Sequence, residues 1–180
     1  GRLRAGAGGA QPGLPRQDAR LTATHVDPAQ FRELMGRFAT GVTVLTVNGP
    51  GDRPLGMTAS SLASVSLVPP LVSVCVDHEA ELHDTIVAAP VFVVNVLESR
   101  QESLSRRFAD RHEDRFDGVG YHRSPEGLVL LDGALAHIEC DRFACYPGGD
   151  HTIIIGRVIG GSTGDGRPLL YYRGGYGSLG

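Results

Sequence analysis

The chain has 180 residues, 41% of them hydrophobic and 21% charged, which suits one folded domain with a sizeable core. A net charge of −3 gives no electrostatic pull towards nucleic acid or an anionic membrane. All 17 basic side chains are arginine, which excludes a Walker A phosphate loop, a Schiff-base lysine and a pyridoxal enzyme of the usual kind.

Residues 1–25 are rich in Gly, Ala, Pro, Gln and Arg without apolar periodicity, and read as a solvated tail set apart from a domain at 26–180. The chain opens on glycine rather than methionine, as an edited or processed start would, and the tail is left out of the fold reasoning. Asp27-Pro28 supplies an N-cap and a proline at the first helical position. Phe31, Leu34, Met35 and Phe38 then follow the spacing of an apolar helix face. A β-branched run at 42–47 predicts a strand, and Asn48-Gly49-Pro50-Gly51 a turn. Further strands are expected at 56–66, 71–77, 91–97, 133–146, 152–160 and 169–173, with short helices near 82–88 and 99–109.

The clearest strand is the one around Ala134, Ala136, Ile138 and Cys140, which alternate with Leu135, His137, Glu139 and Asp141. Its length suits a bent barrel strand rather than a flat sheet member. Many strands and few short helices predict a mainly β chain closing into a barrel, and argue against a doubly wound sheet. The apolar run at 91–97 is far too short to cross a membrane, and three unpaired-looking cysteines (Cys75, Cys140 and Cys145) fit a cytoplasmic protein with reduced thiols.

Metal and nucleophile chemistry find little support. His78 and His83 are five apart, where a zinc-protease helix needs four, and Cys140 and Cys145 would face opposite sides of a strand, so no metal is expected. No Gly-x-Ser-x-Gly elbow occurs. Three segments could serve a ligand. The stretch Gly56-Met57-Thr58-Ala59-Ser60-Ser61-Leu62-Ala63-Ser64-Val65-Ser66 is small, apolar or hydroxylic throughout. It suits a phosphate or the polar edge of a planar ring, and equally a tight barrel corner; residue types alone do not choose. Gly148-Gly149-Asp150-His151-Thr152 presents a polar pair at a strand mouth, where His151 is either functional or a satisfied strand-end residue. The aromatic run from Leu169 to Tyr176 either stacks on a planar ligand or caps the core.

Taken in order, these pieces resemble the flavin reductase family, whose fold is the FMN-binding split barrel of Greek-key type with a few short flanking helices. The family includes the small reductase components of two-component flavin-diffusible monooxygenases. The resemblance runs from about Phe31 to Gly177. It rests on Phe38-Ala39-Thr40-Gly41-Val42-Thr43-Val44, on Gly56 to Ser61 with Ser64-Val65-Ser66 and Pro69-Pro70-Leu71, on Val94-Asn95-Val96-Leu97, on Leu104 to Ala109 and on Gly149-Asp150-His151-Thr152-Ile153. It implies a homodimer that reduces FAD or FMN with NADH or NADPH and passes reduced flavin to a flavin-dependent monooxygenase.

By the same resemblance, Thr58, Ala59, Ser60 and Ser61 contact the flavin and Asp77 lines the same site. Asn95, Arg107 and Phe108 fall towards the phosphate or adenine end, and His151 with Tyr172 positions the nicotinamide. A non-catalytic flavin- or haem-binding split-barrel protein is the alternative. One stretch departs from the family's pattern: His78-Glu79-Ala80-Glu81-Leu82-His83 puts two carboxylates where relatives carry serines or an arginine for the phosphate.

Overall fold

A computed structural model of the chain describes residues 26–111 and 114–179; the expected tail at 1–25 lies outside them. Helix α1 (Pro28–Met35) starts where the cap signals put it. The Asp27 carboxylate accepts the N–H groups of Ala29 and Gln30 at 2.8 and 2.9 Å. Among the described residues, however, its apolar face is not covered: no residue of α1 is buried, and Phe31, Leu34 and Met35 stay more than half exposed. Two more helices follow in the chain, α2 (His83–Ala88) and α3 (Glu102–Ala109).

The strands are β1 (Thr40–Gly41), β2 (Thr43–Asn48), β3 (Pro54–Ala59), β4 (Ala63–Leu67), β5 (Pro70–Asp77) and β6 (Val91–Val96). Then come β7 (Tyr121–Arg123), β8 (Val129–Leu131), β9 (Ala136–Gly148), β10 (His151–Thr163), β11 (Leu169–Tyr172) and β12 (Gly175–Ser178). Seven form one antiparallel sheet in the order β3-β2-β6-β9-β10-β5-β4, flanked by the small sheets β1-β11-β12 and β7-β8. The two edges of the large sheet, β3 and β4, are neighbours in the chain, so the sheet curls until its edges meet at one corner. That is a split barrel.

The single strand expected at 56–66 is therefore two. The chain breaks at Ser60, Ser61 and Leu62, because β3 pairs with β2 while β4 pairs with β5. Ser61 makes the corner stable: its hydroxyl accepts the N–H of Cys75 at 2.9 Å and lies 3.2 Å from the carbonyl of the same residue. The expected strand at 133–146 starts at Ala136 and extends to Gly148, and its partner β10 runs beyond 160 to Thr163. Bulges between Ile155 and Gly156 and between Val158 and Gly160 let this long pair bend. The strands β7, β8 and β12 had no counterpart in the sequence reading, being three or four residues long.

Leu45, Val47, Val74, Val76, Phe92, Val94, Cys140 and Ile154 fill the barrel. The other side of β2 is buried too: Val42 and Val44 join Leu97, Phe108, Leu131 and Leu169 in a second cluster under α3. Burial, reinforced by Asp141 and Glu139, pushes the Cys140 thiol up to about 12 and keeps it protonated. The barrel is tight at Gly156, where a Cβ would stand 2.6 Å from the Phe92 ring and 2.9 Å from Cys140 Cβ. Gly156→Ala should cost about 1–3 kcal/mol by overpacking. Urea unfolding checks it: the midpoint should fall with the slope unchanged.

Candidate functional site

A cavity of about 410 Å³ opens beside the split corner, within the size range of small-molecule sites. Met57, Thr58, Ala59 and Ser60 form one wall, at the end of edge strand β3. An edge strand has alternate backbone N–H groups that face away from its single partner, so this wall offers donors without any charged side chain. Opposite it, the end of β5 brings Asp77 and the following turn brings Glu79, Ala80, Glu81 and Leu82. Helix α3 supplies Ser105, Phe108 and Ala109, and the C-terminal hairpin supplies Tyr171 and Tyr176.

These walls hold one another in place. The Thr58 hydroxyl donates to the Ser105 carbonyl at 2.6 Å, and the Ser105 and Tyr176 hydroxyls share a hydrogen bond of 2.9 Å. Tyr171 and Tyr176 meet edge to face at 5.3 Å, and the Arg106 guanidinium lies over the Tyr176 ring at 4.8 Å. Phe108 closes the floor against Gly56, where a Cβ would come within 2.9 Å of the ring.

Of the residues singled out from the sequence, Thr58, Ala59, Ser60, Asp77 and Phe108 converge on this cavity. Ser61 does not line it, since its hydroxyl is spent on Cys75. Asn95 is fully buried: its amide donates to the Val44 carbonyl and the Thr46 hydroxyl, and its oxygen accepts the Leu131 N–H. No atom of that amide is left for a ligand. Arg107 turns to the carbonyls of Arg115 and Asp114, holding the loop after α3. Tyr172 is exposed and off the cavity: successive residues of β11 point to opposite faces, and Tyr171 is the one that lines the cavity. His151 is not among the residues lining the cavity; it sits across the ladder from Asp77, which is. The His151 Nδ1 bonds the Asp150 carboxylate at 2.7 Å, which holds that carboxyl below its ordinary range.

The flank formed by the turn and the loop after α3 is charged. Arg111 and Arg115 face Glu79 and Glu81 across the cavity lining, and Arg115 pairs with Glu81 at 3.1 Å. Near His151, the His83 ring reaches Asp84 through Nδ1 and Thr152 through Nε2, both at 2.8 Å, with His78 packed edge-on at 5.1 Å.

Residues 35–180 match the family described as the flavin reductase like domain. The chain belongs to that family. Among its relatives, the NADH-dependent FAD reductase of Streptomyces globisporus is 46% identical over 154 residues, 83% of this chain and 84% of that protein. The HsaB reductase subunit of a flavin-dependent monooxygenase from Rhodococcus jostii is 41% identical, over 88% of this chain and 82% of its own length. Solved structures agree. The S. globisporus NADH:FAD oxidoreductase SgcE6, in complex with NAD and FAD fragments, superposes with a TM-score of 0.81 at 44% identity, covering 88% of this chain and 98% of that one. BorF, the reductase component of a bacterial two-component tryptophan halogenase, gives 0.78 at 38% identity, over 85% of this chain and 98% of its own.

For this flavin reductase-like chain, the cavity fits a flavin. Small residues let a flat ring approach the β3 backbone, aromatic side chains border it, and two guanidinium groups lie on one flank. Sequence reasoning assigned no role to Ser105, Arg111 or Arg115, and within the aromatic run at 169–176 it pointed to Tyr172 where the structure brings Tyr171 and Tyr176 to the cavity. The tyrosines carried a signal, an aromatic pair in a strand, but strand phase is set by pairing partners and not by composition.

The start of α3 depends on Glu98. The Ser99 hydroxyl, the Arg100 backbone N–H and the Arg100 guanidinium bond its carboxylate and hold its pKa at about 2 rather than 4.5. The stabilisation is complete above pH 4.5 and is lost as the pH falls from there towards about 2. Glu98→Gln should therefore lower the denaturation midpoint at neutral pH, with the gap to wild type closing across that acid window.

Proposed function

We propose that the chain is an NADH-dependent flavin reductase acting on FAD or FMN, and that it supplies reduced flavin to a flavin-dependent oxygenase. The observation that carries the reading is the convergence of Thr58, Ala59, Ser60, Asp77, Phe108 and Tyr176 on one ligand-sized cavity in a member of this family. The names of the relatives support it: an NADH-dependent FAD reductase, and a reductase subunit of a flavin-dependent monooxygenase.

A flavin bound here would supply the redox chemistry, as acceptor of hydride from a reduced nicotinamide. No side chain need act as a nucleophile. The outward-facing backbone donors at the end of β3, at Thr58 and Ser60, would hold the polar edge of the ring and favour negative charge there. Phe108, Tyr171 and Tyr176 would border it with apolar surface and keep water away. His151, fixed through Nδ1 by Asp150, has Nε2 available to orient the nicotinamide carboxamide. It is a positioning group for the second substrate.

The test is NADH and NADPH oxidation by the purified protein with and without FMN, FAD and riboflavin. Turnover should require added flavin and favour NADH. No turnover with any pair, together with a tightly held coloured ligand, would return the chain to the binding-protein reading. His151→Ala should raise the KM for NADH and slow reduction without changing flavin affinity; unchanged kinetics would remove His151 from this role.

Exposed apolar side chains among the described residues support a homodimer. They include the α1 face with Phe38 at 68%, and the β4 edge and its tip with Leu67 at 84% and Val68 at 89%. A homodimer, each copy covering the other's α1 and β4, accounts for them. Light scattering should give twice the monomer mass, and Phe31→Asp with Leu67→Asp should shift the protein towards monomer.

A further inference from the structure

The turn after β5 carries two carboxylates, Glu79 and Glu81, and the structure gives one of them a buried partner. Arg115 is nine-tenths buried, with 10% of its side chain exposed. Three of its contacts tie it down. Nε donates to the Asp110 carbonyl at 2.8 Å, Nη1 to the Gly56 carbonyl at 3.3 Å, and Nη2 to the Glu81 carboxylate at 3.1 Å. The cation is thus fixed to backbone from two elements, β3 and the loop after α3. Its counter-charge is different in kind: Glu81 is half exposed and sits on a turn. Among the described residues, Glu81 is the one carboxylate paired with Arg115.

This pair also divides two spaces. Glu81, Leu82 and Arg115 line the 410 Å³ cavity on one side and, on the other, a groove of about 510 Å³ bordered by Arg53 and Pro54. A flavin nucleotide seated against β3 must place its phosphate somewhere on the charged flank. The fixed guanidinium there is Arg115, and its Nη2 is already occupied by a carboxylate. Asp77 and Glu79, the other two carboxylates in the lining, add repulsion without pairing with Arg115.

We propose that Glu81 is a specificity-determining residue, an internal competitor for the anion-binding side of Arg115. It cancels most of what a flavin's phosphate would gain from that arginine. Phosphorylated flavins are then held hardly better than riboflavin, which suits a flavin that leaves as product. The proposal rests on the flavin reductase reading. It adds a reason, specific to this chain, for weak discrimination at the phosphate.

Flavin binding measured by fluorescence quenching, without NADH, tests it. In the wild type, FMN and riboflavin should bind within about threefold of each other, and Glu81→Gln should tighten FMN about tenfold, about 1.4 kcal/mol, leaving riboflavin unchanged. Glu79→Gln, which removes a charge but no partner of Arg115, should change the ratio by less than about threefold. The competitor role fails if wild type prefers FMN by more than about tenfold, if Glu81→Gln leaves the ratio unchanged or loosens FMN, or if Glu79→Gln matches it. A thermal melt shows whether Glu81→Gln folds; if it does not, the wild-type ratio decides alone. Wild type that binds no flavin at all would overturn the functional reading and this inference with it. A wild type that binds flavin but violates the ratios would overturn the inference alone.

Discussion

The large sheet has two free edges that lie three residues apart in the chain, and everything around the cavity depends on how they meet. Strand β3 can pair on only one side, because its chain neighbour β4 belongs to the opposite edge. A ladder between them would seal the barrel and bury the β3 backbone. Instead Ser61 holds the corner with one hydroxyl against the Cys75 peptide, in place of a strand-to-strand rung. The corner stays open, and the alternate backbone groups of β3 that face away from β2 have no second strand to pair with.

An open corner needs rigid surroundings, and buried polar groups supply much of that rigidity. Asn95 joins β2, β6 and β8 through three hydrogen bonds in a fully buried setting. Thr46 adds a bond to the Val129 carbonyl, and Thr43 one to the Ala59 carbonyl. No buried side-chain polar atom among the described residues lacks a partner. A satisfied network of this kind selects one arrangement, since any slip leaves an amide or hydroxyl unpaired in an apolar core. Strand β2, buried on both faces, passes that order to α3 and hence to Phe108.

The charged flank follows different physics. The β3 side of the cavity is neutral and uses backbone dipoles, whereas the far side sets two arginines against Asp77, Glu79 and Glu81. Nearly balanced charge in a partly enclosed space favours reversible occupancy over tight retention of an anion. The same economy extends beyond the lining, where Asp150 and Asp84 hold the rings of His151 and His83. The exposed apolar side chains of α1 and β4 line no part of this polar cavity.

Much of this was legible in the residues. Local rules placed α1 by Asp27-Pro28, most of the strands by β-branched runs, and Thr58, Ala59, Ser60, Asp77 and Phe108 by the ordered motifs of a family. Those signals are local: a cap, a period or a short motif contains its own information. The sequence alone could not say that 56–66 turns a corner, since composition does not reveal which strand each half will pair with. Nor could it show that Asn95 and Ser61 are consumed by the fold, that Tyr171 rather than Tyr172 faces inward, or that Glu81 finds Arg115. Each of those depends on contacts between residues far apart in the chain. Pairing register, the saturation of a buried donor and the partner of a charge come into being only when the sheet closes, so the tertiary structure decided them.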